Sequence, residues 1–120
     1  MAFNFEYEVL ALRIAQITHR DDLGPYIPIF IFDANQMIEK RLSMTLNVPK
    51  SGGATDNPML FTNPSLYLYA SLVSAYEFIN ELEMADYYMK RFLEEIDYYY
   101  ITDVSGQAPQ PVMGEEWAVV

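Results

Sequence analysis

The residues able to do chemistry are few, and most of them are acids. His19 is the only histidine, so a metal site built on several imidazoles is excluded. Paired with Asp21 or Asp22 it lacks an obvious nucleophile partner and reads as an exposed loop residue or a group at a helix end. Glu77, Glu81, Glu83, Asp86, Glu94, Glu95 and Asp97 crowd one stretch. Paired carboxylates can do general acid–base work or bind a hard cation. No Asp-x-Asp-x-Asp-Gly spacing occurs here, and four-residue steps such as Glu77/Glu81 line one face of a helix, which reads as a solvated acidic wall. Gly52-Gly53 lacks the Lys-Ser/Thr and the helix start of a phosphate-binding loop and reads as a linker. With no cysteine, disulfides, thiolate catalysis and Cys-ligated zinc are excluded.

Aromatic residues are the other unusual feature. The chain has 10 tyrosines in 120 residues. Tyr87-Tyr88 and Tyr98-Tyr99-Tyr100 cannot all face one core, because successive helical residues point about 100° apart. Some are core and others are exposed or at an interface, where aromatics are enriched. The chain ends Glu115-Glu116-Trp117-Ala118-Val119-Val120, an apolar end with the only tryptophan. It is expected to be received by a partner as an added strand or in a groove.

Four helices are expected to position these residues. The first covers roughly 6–17, with Val9, Leu10, Leu12, Ile14 and Ile17 on a broad apolar face. The stretch Thr18-His19-Arg20-Asp21-Asp22-Leu23-Gly24-Pro25 is a connector, with Asp22 or a neighbour as a cap for the next helix. The second begins near Pro25 or Pro28, places Ile27, Ile31, Ala34, Ile38 and Leu42 on its stripe, and fades near Leu46. Residues 47–63 read as a long mobile loop. The third starts with Asn63 as N-cap and Pro64 at its first position. Its stripe is Leu68, Leu72, Ala75 and Ile79, with Tyr69, Val73 and Tyr76 beside it. A tight turn at Asn80-Glu81-Leu82 leads to a fourth helix from about Glu83 to Tyr100, carrying Met84, Tyr88, Phe92, Ile96 and Tyr99. These last two helices form an antiparallel hairpin. The fold is therefore expected to be all-α: a compact four-helix domain over 1–102 and an extended C-terminal arm over 103–120. One helical hairpin is too little for a tetratricopeptide array, which needs about three stacked copies.

The 7 Lys and Arg against 17 Asp and Glu leave a net charge of -10. That argues against a general nucleic-acid binder, which needs a basic face to release counterions, and against docking on anionic membrane. At 52% hydrophobic residues the chain can build a core. The opening residues Met1 to Glu6 have neither a basic nor an apolar signal region, and the longest apolar run, Ile27 to Phe32, is too short to span a bilayer. A soluble chain made in the cytoplasm is expected.

The stretch Thr62-Asn63-Pro64-Ser65-Leu66-Tyr67-Leu68-Tyr69-Ala70-Ser71-Leu72, followed by Ala75-Tyr76-Glu77-Phe78, resembles the head-to-tail adaptor proteins of tailed bacteriophages, also called connector or head-completion proteins. Glu81 to Tyr98 looks like that family's second aromatic-rich helix. His19-Arg20-Asp21-Asp22-Leu23, Ile27-Pro28, Phe30-Ile31 and Ile38-Glu39-Lys40-Arg41-Leu42 look like its His-Arg-x-Asp-Leu turn and the helix after it. Together these blocks cover about residues 7–100. The β-rich insertion usual between them in short-tailed phages is missing.

The resemblance implies a virion structural protein without enzymatic activity or cofactor. It would form a ring of itself, commonly twelve-fold, beneath the portal protein. It would extend the channel through which genomic DNA passes unbound and offer a tail or nozzle protein a docking surface. On this reading Tyr98, Tyr99, Tyr100, Pro109, Pro111, Trp117, Val119 and Val120 are expected at the portal or a neighbouring copy. The loop with Lys50, Gly52 and Gly53 is expected to face the tail or the lumen. Three other readings compete: a cytoplasmic helical-hairpin interaction module, a small acid–base or metal enzyme on the carboxylate cluster, and an acidic DNA mimic that blocks a DNA-binding protein.

Overall fold

A computed structural model of the chain describes residues 5–50 and 57–99, with the backbone alone for Phe5 and Glu6. The described residues form five α-helices and one 3-10 helix: α1 (Phe5–Thr18), the 3-10 helix Asp21–Tyr26, α2 (Ile27–Leu42), α3 (Pro58–Thr62), α4 (Pro64–Phe78) and α5 (Leu82–Tyr99). No strand occurs among them, so the fold is all-α as its periodicity predicts. The four long helices match the four expected. Residues 100–120, where the extended arm is expected, lie outside the described residues.

Each long helix ends for a local reason. At the end of α1, His19 takes a left-handed φ of 56° and donates its amide to Ala15 O at 3.0 Å, while the Thr18 hydroxyl donates to Ile14 O at 2.9 Å. The sole histidine is thus a helix terminator. At the end of α2, Ser43 adopts a φ of 53° and the Met44 amide donates to Glu39 O at 3.2 Å. At the end of α4, Asn80 has a φ of 62°, and the amides of Asn80 and Glu81 donate to Glu77 O at 3.1 Å and Tyr76 O at 2.8 Å. The last pair of bonds is a Schellman closure. It turns the chain sharply enough to bring α5 back along α4 as the expected hairpin.

Several local expectations are corrected. Residues 47–63 are not all loop, because α3 lies within them, capped by Asn57, whose Oδ1 accepts the Leu60 amide at 3.0 Å. Asn57-Pro58 is the same start signal as Asn63-Pro64, and it nucleates a helix because Met59 and Leu60 are buried. Asn63 makes no side-chain cap on α4. The end of α3 arrives directly before it, and its side-chain amide turns back to Thr62 Oγ1 at 3.1 Å. Asp22 caps no helix, since its carboxylate is engaged by Arg20 at 2.8 and 2.9 Å. The second helix stops at Leu42 rather than near Leu46.

Helix α4 is the centre of the molecule. Leu66, Tyr67, Ala70, Ser71, Leu72, Val73, Ala75 and Tyr76 are all buried on it, so it is covered on every side, as a central helix must be. One cluster of buried residues, running from Tyr7 through Ile14, Phe30, Ile38, Leu60 and Leu72 to Phe92 and Ile96, makes a single core. Leu12 is the exception on α1: it points outward and is exposed, so that helix's apolar face is narrower than its composition implies.

Candidate interaction surfaces

A buried polar knot ties the α2–α3 connection to the core. Asn35 on α2, Asn57 before α3 and Tyr67 on α4 are each at most 1% exposed. The Tyr67 hydroxyl donates to Asn35 Oδ1 and accepts from Asn57 Nδ2 at 2.5 Å. Asn57 Nδ2 also reaches Asn47 O at 2.6 Å, and Asn35 Nδ2 reaches Leu46 O at 3.2 Å. Glu39 Oε2 accepts the Leu46 amide at 2.7 Å. An irregular segment has no ladder to satisfy its backbone, and buried groups left unpaired are costly. Here amide side chains take the place of a ladder. Apolar periodicity singles out none of the three residues, although an asparagine at a buried helical position, Asn35, was the available signal.

Burial pushes the Tyr67 phenol well above its ordinary range, with the Asn57 hydrogen bond opposing the rise. The folded chain holds this proton more tightly than the unfolded chain does, so the linked stability is fully present below the ordinary phenol range and is lost as pH rises above it. Denaturant melts across pH 8 to 11 (about the ordinary phenol pKa of 10) are expected to show stability falling toward the alkaline end. Tyr67→Phe is expected to flatten part of that fall.

The tyrosines divide between inside and outside as their spacing requires. Tyr88 stacks between α4 residues Tyr69 and Tyr76, with ring centroids 6.0 and 5.7 Å apart. Tyr87 meets Tyr88 edge-on at 4.9 Å and is exposed. The Arg91 guanidinium lies 5.3 Å from the Tyr69 ring centre and donates to the hydroxyls of Tyr69 and Tyr87, each at 3.2 Å. At the other end of α4, Phe78 covers Phe30 and Tyr26, at 5.5 and 4.9 Å.

Of the residues assigned to an interface from sequence, Tyr98 is 61% exposed, whereas Tyr99 packs partly against the core. Lys50 is exposed. Tyr100, Pro109, Pro111, Trp117, Val119, Val120, Gly52 and Gly53 lie outside the described residues. Exposed apolar side chains that sequence pattern did not single out are Ile29 and Phe32 on α2 and Phe61 on α3. Phe61 lines a groove of about 300 Å³ between α1, α3 and α4, where Val9, Leu10, Leu60 and Leu68 stand beside Arg13, Ser65 and Tyr69. The acids of the α4–α5 hairpin do not converge: among the described residues no three acidic or histidine side chains are placed to hold a metal ion. Among the same residues no helix is long and apolar enough to cross a membrane. Comparison with known protein families, curated proteins and solved structures finds no match.

Proposed function

We propose that this chain is a head-to-tail adaptor of a tailed bacteriophage, forming a ring of copies beneath the portal and extending the DNA channel toward the tail. The observation that carries the reading is the order and spacing of the blocks His19–Leu23, Ile38–Leu42 and Asn63–Phe78. These blocks are also the elements that build the fold: the turn into α2, the end of α2, and the central helix α4. Two physical features support it. A net charge of -10 per chain gives a multi-copy ring a wall that repels DNA and lets it slide without sticking. Exposed Ile29, Phe32, Tyr87 and Tyr98 supply apolar area for subunit and portal contacts.

Electron microscopy of the purified chain mixed with the portal of its own phage tests this. A second ring stacked under the portal is expected, and it is expected to be lost when residues 103–120 are deleted while helical circular dichroism is retained. No complex at micromolar concentration would reject the adaptor reading. Tight binding to a basic DNA-binding protein instead would favour the DNA mimic, for which the exposed acids of α5 are the supporting feature.

A further inference from the structure

The two outer helices present unlike faces on opposite sides of the molecule. Tyr67 and Ser74 of α4 bond to Asn35 and Asp33 of α2, whereas Tyr69 and Tyr76 stack on Tyr88 of α5. The two sets are offset by two residues, about 200° around a helix, so α2 and α5 flank α4 from opposite sides. The exposed residues of α2 are Pro28, Ile29, Phe32, Gln36, Lys40 and Arg41, with no carboxylate among them. On a chain of net charge -10 that is an exception. The exposed residues of α5 carry Glu83, Asp86, Glu94 and Asp97 against Lys90 alone, together with Tyr87 and Tyr98.

We propose that the chain binds a second copy of itself head to tail, the outer face of α2 on one copy seating against the outer face of α5 on the next. Each face combines large apolar side chains with exposed charge of opposite bias. The exposed charges of α2 are Lys40 and Arg41, its carboxylates Asp33 and Glu39 being half-buried and held by the Ser74 hydroxyl and the Leu46 amide, whereas acids outnumber Lys90 on α5. Like faces would set acid against acid on α5, which disfavours a symmetric pair through that face. A contact between two different faces repeats with every copy added, closing into a ring or growing as a filament. Ile29 and Phe32 against Tyr87 and Tyr98 supply the desolvated area, and Lys40 and Arg41 against the α5 acids supply orientation and encounter rate. This inference rests on the ring-forming reading above and names the surfaces it would use.

Two variants test it. Ile29→Asp with Lys40→Glu breaks the α2 face, and the new acid at position 29 lies in the first turn of α2, where a helix favours it. Glu94→Lys with Asp97→Lys breaks the α5 face near that helix's end, where cations are favoured. In sedimentation and native mass spectrometry at low salt the parent chain is expected to assemble beyond a dimer, and to weaken at least about tenfold as salt is raised toward 1 M, where the Debye length is near 3 Å. Each variant alone is expected to be monomeric with its helical circular dichroism intact. The two mixed are expected to give a heterodimer that stops there, since each keeps one good face. A parent chain that stays monomeric at millimolar concentration, or variants that assemble like the parent, would overturn the contact. A ring under the portal formed equally by the parent and by both variants would also overturn it while leaving the adaptor reading in place. A chain that assembles through these faces yet ignores the portal would reject the adaptor reading and keep the contact.

Discussion

Asn57→Ala is expected to destabilise the fold by about 2–4 kcal/mol, the sum of a lost helix cap (about 1 kcal/mol) and buried partners left unpaired (about 1–3 kcal/mol). The cap is the bond from the Leu60 amide to Asn57 Oδ1 at 3.0 Å. The partners that lose a donor are Asn47 O and the Tyr67 hydroxyl, which the Asn57 amide meets at 2.6 and 2.5 Å, the hydroxyl keeping only its own bond to Asn35. One short side chain therefore starts α3 and closes the α2–α3 connection onto α4. Asn57→Ser keeps an acceptor for the cap and loses the amide donor, so it is expected to recover only the capping share. Chemical denaturation of the three proteins separates the two contributions. Hydrogen exchange at the Leu60 amide is expected to accelerate in the alanine variant and much less in the serine variant. A cost below about 0.5 kcal/mol for Asn57→Ala, the range of ordinary surface substitutions, would mean that the knot does not hold the connection.

Leu72→Ala is expected to cost about 2–5 kcal/mol, the range for a fully buried leucine whose cavity closes only in part. Leu72 is 0% exposed and sits on α4, which touches α1, α2, α3 and α5. Little can collapse around the missing atoms when close-packed helices surround α4 on several sides, which places the cost toward the upper part of that range. Leu12→Ala is the matched control. Leu12 is 57% exposed on α1, so its loss is expected to stay within about 0.5 kcal/mol. Thermal or denaturant melts of the pair check the phase of both helices at once. Equal costs for the two would mean that the assignment of inward and outward faces is wrong.

Both expectations depend on how far the sequence is legible. The stripes Ile27-Ile31-Ala34-Ile38 and Phe92-Ile96 are read directly from three- and four-residue spacing, and all six residues are buried. The hairpin turn at Asn80 follows from chain-local chemistry, since a residue tolerant of a left-handed backbone stands where α4 must end. The outward turn of Leu12 could not be read that way, because a broad apolar face is compatible with more than one packing direction.

The sequence by itself determined the elements: the all-α class, four long helices within a few residues of their ends, and a charge of -10 that argues against a general nucleic-acid binder. Spacing and end signals are local, acting within a turn or two of the backbone, and need no partner to be read. Only the tertiary structure decided which of two equivalent Asn-Pro starts takes its cap. Asn57 and Asn63 carry the same signal, but Asn57 is drawn inward by Tyr67, ten residues on, and by Asn35, 22 residues back, while Asn63 is crowded by the end of α3. Tertiary structure also decided that the exposed cations of α2 and the exposed acids of α5 lie on opposite sides of α4. Those outcomes depend on which surfaces meet across long stretches of chain, and local pattern carries no record of that.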